Sequence, residues 1–212
     1  MLAREKPKLA EVPAHGRLWA ADRRLQLLET AAELLEGRGV DGVRIPDVAE
    51  HAGVSRAVVY RFFPNRQAIL LDLIEEFGRV VGERVEGALE LNGLDDVQAL
   101  LGRIFDGICD TIEEQGAGVW RLLNSAGPDP EIESVAQKVR AEIAGPWFAR
   151  VQEVTRAPGR QAFALTSMIA ATIPAVVELW ISDQVERNEA VTYLERGVAS
   201  LIREFTTDLS SS

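Results

Sequence analysis

The spacing of apolar residues is the feature that most constrains how this sequence can fold. They recur three and four positions apart, which places them on one face of a helix. The pattern holds over Leu25–Leu35, Val97–Ile112, Ile132–Ile143 and Val191–Phe205. The alternation of apolar and polar residues typical of a strand does not occur over a useful length. The sequence therefore predicts an all-α protein.

Glycine, proline and capping residues predict where some of these helices begin and end. Asp22 is a plausible N-cap for the first helix, and Gly37 and Gly39 supply its stop. Residues 1–20 are expected to form a flexible arm. Turn signals follow at 92–93, 116–118, 127–130 and 158–159.

Composition limits the classes of protein to which the chain can belong. It has 212 residues, of which 47% are hydrophobic and 26% charged, enough to bury a core in one large domain or two small ones. Cys109 is the one cysteine and there are two histidines, so no internal disulfide is possible and a Cys/His zinc site is not expected. We expect no metal and no cofactor. Residues 1–20 hold no apolar run, so we expect no signal peptide and a cytoplasmic location.

Charge is unevenly divided along the chain, whose formal net charge is −10. Residues 1–70 hold 11 Lys and Arg against 9 Asp and Glu, whereas residues 71–212 hold 12 against 24. The overall acidity argues against a protein that coats nucleic acid by bulk charge. The asymmetry instead suggests two different roles on one chain, although chance variation of surface charge would also produce it.

Residues 161–177 raise the question of a membrane span, because all 17 are uncharged. A helix of that length covers about 25 Å, less than the roughly 30 Å of a hydrocarbon core. Thr166, Ser167, Thr172 and Pro174 interrupt it, and Glu178 follows. We therefore expect no membrane span but a helix that is buried on most sides, with subunit contact as one way to bury it.

Residues 44–70 predict two short helices around a tight turn. Pro46 suits a helix start, Gly53 suits a sharp turn with positive φ, and Ser55 suits the N-cap of a second helix that must end before Pro64. The inward positions of such a pair are apolar: Val48, Ala52, Val54, Val59 and Phe62. This is the pattern of a helix-turn-helix, in which the second helix enters the major groove of DNA.

The same stretch resembles the DNA-binding domain of TetR-family transcription regulators. The matching residues are Val48-Ala49, Ala52-Gly53-Val54-Ser55, Tyr60, Phe63, Asn65-Arg66 and Ile69-Leu70. The likeness covers roughly residues 22–75. Three positions depart from the family pattern: Arg66 replaces a usual Lys, Arg44 a common Thr, and Phe62 a frequent His or Tyr.

The motif and the resemblance together suggest which side chains meet DNA. The expected DNA-binding residues are Arg44, Ser55, Arg56, Ala57, Val58, Tyr60, Arg61 and Arg66. The resemblance implies that Tyr60 and Arg66 hold phosphates. Arg56 and Arg61 are candidates for reading guanine, and Val58 and Ala57 for touching a thymine methyl group. A solvated surface position remains the alternative for each arginine.

One recognition helix covers few base pairs, so we expect a homodimer on palindromic double-stranded DNA. The apolar helix at about 160–184 and the Val191–Phe205 stripe could pair with their copies as a four-helix bundle, or could form an internal seam. In the TetR family the last two long helices form the dimer contact, which this arrangement resembles.

The resemblance also implies an all-helical regulatory domain that binds a small molecule and thereby weakens DNA binding. Candidate lining residues are Phe105, Cys109, Trp120, Leu123, Trp147, Phe148, Met168 and Trp180, although packed core is the alternative for each. Glu178 could counter a cationic ligand or lie at the surface. The identity of the effector is not deducible.

We therefore expect a flexible arm (1–20), a three-helix helix-turn-helix domain (21–66) and a helical ligand-binding and dimerisation domain (67–209). The expected function is that of a transcriptional regulator, as a repressor released by a small apolar or aromatic ligand. One alternative is a helix-turn-helix protein that has no small-molecule effector and is regulated by a protein partner. An enzyme is not expected, because no catalytic constellation or phosphate-binding loop occurs in the sequence.

Overall fold

The computed structural model describes residues 15–91, 97–125, 129–155 and 159–207. Within these ranges the chain forms nine α-helices and one 3₁₀ turn, without a strand. The helices are α1 (His15–Arg38), α2 (Ile45–His51), α3 (Arg56–Phe62), α4 (Arg66–Leu91), α5 (Val97–Gln115), α6 (Ala117–Asn124), α7 (Pro130–Thr155), α8 (Gly159–Ile181) and α9 (Arg187–Thr207). The 3₁₀ turn, Val40–Gly42, connects α1 to α2. The all-α prediction is confirmed.

The N-terminal helices α1, α2 and α3 enclose a small core against the first turns of α4. Leu27, Ala31, Val48, Val59 and Phe63 are fully or almost fully buried there. Helix α1 begins at His15, seven residues before the expected N-cap Asp22, so it includes residues 15–20 of the expected N-terminal arm. Arg4, Lys6 and Lys8 lie outside the described residues. Leu25 is 44% exposed, because the buried face of α1 is centred on Leu27, Leu28 and Ala31 instead.

The remaining helices form a larger bundle, in which α4 runs along both α5 and α7. Helix α8 packs on α7 and α9, and α9 also packs on α5. The expected turn at 116–118 is only partly correct, since Gly116 takes φ +88 as the N-cap and α6 begins immediately afterwards at Ala117. The short α6 lies against α1 as well as α4, and it therefore joins the two groups of helices.

Helix α8 is long and apolar enough to cross a membrane by length and composition, and no other such helix occurs in the described residues. The 23-residue helix agrees closely with the apolar helix predicted at about 160–184, and it contains the 17 uncharged residues 161–177. In the single chain only 33% of its most apolar stretch is buried. The expectation of burial on most sides is therefore not met within one subunit, and an apolar face of α8 remains open.

Candidate nucleic-acid interface and apolar cavity

The turn between α2 and α3 is closed by backbone hydrogen bonds that need a glycine. Gly53 has φ +66, as its sequence context predicts. The Gly53 N–H donates to Glu50 O at 3.2 Å, and the Val54 N–H donates to Ala49 O at 2.9 Å. These two bonds form a Schellman motif, which satisfies the last carbonyl groups of α2. Helix α3 therefore leaves α2 at a fixed angle.

Helix α3 begins and ends where local chemistry requires. Ser55 occupies the N-cap position with extended backbone, as predicted, but its side chain makes no capping hydrogen bond to the described residues. Phe63 ends the helix with φ −130 and ψ 110, because the following Pro64 disfavours a helical conformation at that residue. Asn65 Oδ1 then accepts a hydrogen bond from the Ala68 N–H at 2.8 Å and caps α4. Seven residues of α3 are thus held between two defined ends.

The two faces of α3 have opposite character. Val59 and the adjoining Phe63 are completely buried. The Arg24 guanidinium of α1 lies 5.6 Å from the centroid of the Phe63 ring and pairs with Asp72 of α4, which ties three helices together. Burial raises the pKa of the Asp72 carboxyl, and the adjacent Arg24 partly offsets that rise. The opposite face of α3 is exposed, with Tyr60 at 57%.

The structure places most of the expected DNA-binding residues on that open face or beside it. Val58 of α3 is half-buried. The other expected residues on α3 and at its N-cap are exposed: Ser55, Arg56, Ala57, Tyr60 and Arg61. The Arg61 guanidinium lies 5.9 Å from the ring centroid of Phe62. His51, at the turn side of α2, is also exposed, and its Nδ1 lies 2.8 Å from Asp47 O.

Arg44 and Arg66 both contact the connection between α1 and α2. Arg44 Nε donates to Asp41 O at 3.0 Å. The Arg66 guanidinium donates to Val40 O and lies 3.2 Å from the Asp41 carboxylate, which is almost fully exposed. One terminal nitrogen of Arg66, Nη2, makes both of these contacts. Sequence reasoning missed Asp41 as a competitor for Arg66.

An apolar cavity of about 120 Å³ lies inside the larger bundle. Its apolar walls come from α4 to α8 and are Val81, Ile104, Ile108, Trp120, Leu123, Ile143, Ala144, Ile169, Ala170, Ile173 and Pro174. The polar residues among the described lining are Asn124, Arg140 and Thr166. The Thr166 hydroxyl donates to Ala162 O at 2.8 Å and the Asn124 amide donates to Trp120 O at 2.9 Å.

Only part of the expected ligand-binding set lies around this cavity. Trp120 and Leu123 line it. Phe105 and Cys109 are buried in the core, whereas Met168 is 45% exposed and Trp180 is half-buried. Phe148 is half-buried with its ring 6.3 Å from that of Phe163, and the side chain of Trp147 lies outside the described part. Glu178 is exposed and pairs with Arg121 at 3.3 Å.

Comparisons with known proteins support the interpretation of the N-terminal helices. Residues 27–73 match the family described as bacterial regulatory proteins, tetR family. The N-terminal part of this chain, helices α1 to α4, is thus similar to the DNA-binding domain of the TetR family. It is 42% identical over 62 residues to the transcriptional regulator EthR of Mycobacterium tuberculosis, an alignment that covers 29% of this chain and 27% of EthR. It is 32% identical over 90 residues to the probable regulator ArpR of Pseudomonas putida, covering 41% and 43% of the two chains.

The likeness of fold extends well beyond the TetR-family domain. The fatty acid degradation regulator FadR of Bacillus halodurans superposes with a TM-score of 0.68 at 18% identity, over 83% of this chain and 94% of that one. FadR of Bacillus subtilis, solved with stearoyl-CoA, superposes with a TM-score of 0.68 at 20% identity, over 84% and 96%. At these identities the neighbours establish the fold alone. The sequence alignment with EthR spans about a quarter of EthR.

Proposed function

We propose that this chain is a DNA-binding transcriptional regulator that acts as a homodimeric repressor and is released by a small apolar or aromatic ligand. The observation that carries the proposal is the two-faced character of α3. Val59 and the adjoining Phe63 anchor it in the core, while Arg56, Tyr60 and Arg61 project outward. A short rigid helix with an exposed cationic face is what major-groove docking requires. Its site of action is then the bacterial cytoplasm.

The proposed contacts with DNA are of two kinds: contacts to phosphates, which position the protein, and contacts to bases, which read the sequence. Tyr60 and Arg66 hold phosphates, and Arg44 and Ser55 lie beside them for the same purpose. Arg56 and Arg61 read guanine O6 and N7, and Ala57 and Val58 face thymine methyl groups. Arg66 leaves the Asp41 carboxylate, 3.2 Å away, when it reaches a phosphate. Asp41 therefore lowers affinity at that contact.

Homodimerisation through α8 and α9 supplies the second recognition helix. The open face of α8 presents the small residues Ser167, Ala171 and Ala175, with exposed Phe163 nearby. Small residues allow two helices to approach closely, and burial of this apolar face would supply the driving force. A symmetric pair of this kind binds a palindrome, with half-sites one or more duplex turns apart.

The ligand is proposed to act because the cavity is mechanically connected to the DNA-binding helices. Gln67, in the first turn of α4, donates to Glu131 Oε2 at 2.6 Å and to Asp129 Oδ1 at 3.3 Å, at the start of α7. At the far side of the domain, Gly118 N–H of α6 donates to the Glu36 carboxylate of α1. Both α6 and α7 line the cavity. A ligand that favours one arrangement of these helices would shift the spacing of the recognition helices.

The proposal is tested by selecting bound sequences from a random duplex pool and measuring the affinity of the selected site at several salt concentrations. Arg61→Ala is expected to weaken binding by about 1–3 kcal/mol and to relax the sequence preference at one position. Tyr60→Ala, a proposed phosphate contact, is expected to weaken binding to all sequences to a similar degree. Arg103→Ala on α5, also exposed, is the matched control.

Unchanged affinity in both α3 variants would overturn the proposed docking. Loss of helical content or a lowered melting temperature would instead identify a folding defect. If the wild-type chain binds a palindromic site and no small molecule tested changes that affinity, a regulator without an effector would be favoured.

A further inference from the structure

The cavity contains one ionised side chain among its described lining residues, Arg140 of α7. The remaining lining is apolar apart from Asn124 and Thr166, whose amide nitrogen and hydroxyl donate to backbone carbonyl groups of their own helices. A guanidinium remains protonated in proteins. Placing a cation at an apolar wall costs free energy unless acceptor groups bind it. The groups that bind the Arg140 guanidinium therefore show which chemistry this part of the cavity accommodates.

The described partners of Arg140 leave part of its donor capacity open. One terminal nitrogen donates to Leu123 O and the other donates to Glu133 Oε1 at 2.7 Å. A guanidinium carries five N–H donors, and two of them are used by these described groups. The Arg140 side chain is 33% exposed, so the surrounding protein does not enclose it completely. Arginine forks bind carboxylates with two parallel hydrogen bonds.

The volume of the cavity restricts the rest of the ligand. Its 120 Å³ is below the roughly 300–1,000 Å³ of sites that hold drug-sized ligands. It approaches the roughly 150 Å³ of an engineered apolar cavity that binds benzene. One aromatic ring or a short branched alkyl group fits this space, whereas a long acyl chain would need the surrounding helices to separate.

We propose that the cavity binds a small carboxylate, with its apolar body between Trp120 and Ile169 and its carboxylate on Arg140. This inference rests on the proposed function, because it names the chemical class of the effector. Glu133 opposes binding, since its own carboxylate occupies the same guanidinium and repels a second anion. Arg140 is thus the specificity-determining residue and Glu133 tunes the affinity.

The test measures direct binding to the full chain, without DNA, by titration calorimetry. The probes are benzoate and 3-methylbutanoate, each paired with its neutral amide of nearly the same shape, benzamide and 3-methylbutanamide. At neutral pH the acids are ionised and the amides are not, so the pairs differ chiefly in charge. Both acids are expected to bind about ten- to a hundredfold more tightly than their amides, the usual scale of a hydrogen bond to a charged group.

Three variants complete the test. Arg140→Gln is expected to abolish the preference for acid over amide. Glu133→Gln is expected to raise the affinity for both acids several-fold and to leave the amides unaffected, which keeps the proposal testable if Arg140→Gln does not fold. Arg121→Gln, whose partner Glu178 lies outside the cavity lining, is the matched control and is expected to leave both affinities unchanged.

The inference is overturned if the amides bind as tightly as the acids, if none of the four probes binds, or if Glu133→Gln weakens binding of the acids. Its failure is distinguishable from failure of the proposed function. A neutral compound that releases the chain from DNA would contradict the inference but not the proposed function. If the acids bind through Arg140 but the chain binds no DNA, the proposed function would be contradicted and the inference would stand.

Discussion

At the residue scale, Gly53 shows how one backbone conformation orients the recognition helix. Its φ of +66 lies in the left-handed region, and an ideal Cβ there would meet no described atom within 4 Å. The cost of a side chain at this position is therefore conformational and not steric. For L-residues that cost is roughly 1–2 kcal/mol.

Gly53→Ala is expected to lower the free energy of unfolding by about 1–2 kcal/mol. DNA affinity is expected to fall as well, because α3 would leave the turn at a different angle. Gly37→Ala is the control, since Gly37 lies in α1 with open space around an added methyl group and without a positive φ. Chemical denaturation checks both variants, and a Gly53→Ala protein as stable as wild type would contradict the argument.

Cys109 illustrates a buried thiol whose chemistry is suppressed by its surroundings. Burial raises its pKa to about 12, and the nearby Asp106, Glu113 and Asp110 contribute while Arg187 opposes them. The thiolate is the reactive form, so the native protein is expected to resist iodoacetamide at about pH 8 and to react after unfolding. Rapid labelling of the folded chain would show that the site opens readily.

The same shift in pKa has a consequence for stability at high pH. The native thiol keeps its proton above the ordinary value of 9.0, where an unfolded chain loses it. Stability contributed by Cys109 is therefore full below about pH 9 and declines as the pH rises toward 12. Unfolding free energies at increasing pH should show a slope that Cys109→Ala reduces.

At the element scale, α4 and α7 approach closely because Gly78 lacks a side chain. An added Cβ at Gly78 would lie 2.2 Å from Val139 Cγ1. A valine in a helix has little rotamer freedom with which to yield. The crossing point of these two helices is thus set by one glycine and one β-branched residue.

Gly78→Ala is expected to destabilise the chain by about 1–3 kcal/mol, because overpacking outweighs the gain of roughly 0.5–1 kcal/mol from replacing a helical glycine. Gly82→Ala, one turn later on α4, meets no described atom within 4 Å and should stabilise. The double variant Gly78→Ala/Val139→Ala should recover part of the loss. The melting temperatures of the three variants test this prediction. Equal effects of the two single variants would refute the steric argument.

At the scale of the whole molecule, the open face of α8 is the apolar surface proposed to contact a second subunit. Ala171→Glu would place a charge on that face without disturbing the buried side of α8, where Leu165 and Ile169 lie. The variant is expected to sediment as a monomer and to lose tight binding to a palindromic site, with its fold retained. Gln137→Glu, which adds a charge at an exposed position of α7, is the control. A variant that remains dimeric would move the dimer contact elsewhere.

The helix-turn-helix could be predicted in detail because its signals are local. Gly53 and Pro64 constrain the backbone at their own or adjacent positions, and residue type alone reveals both of them. Helix α1 was harder to predict, since the seven residues upstream of Asp22 continue the helix without a capping signal. Helix α6 was missed because Gly116 and Gly118 look like turn residues, whereas Gly118 instead allows α6 to approach α1.

The sequence by itself determined the all-helical class, the position of the turn before α3 and the division of charge between the two parts of the chain. Those properties follow from side-chain periodicity and from backbone preferences that extend over a few residues. Only the tertiary structure decided that Arg140 and Trp120 share a cavity, that Arg66 contacts Asp41, and that α8 keeps an uncovered face. Such relations join residues from different helices, and they depend on how those helices cross rather than on the residues adjacent in the chain.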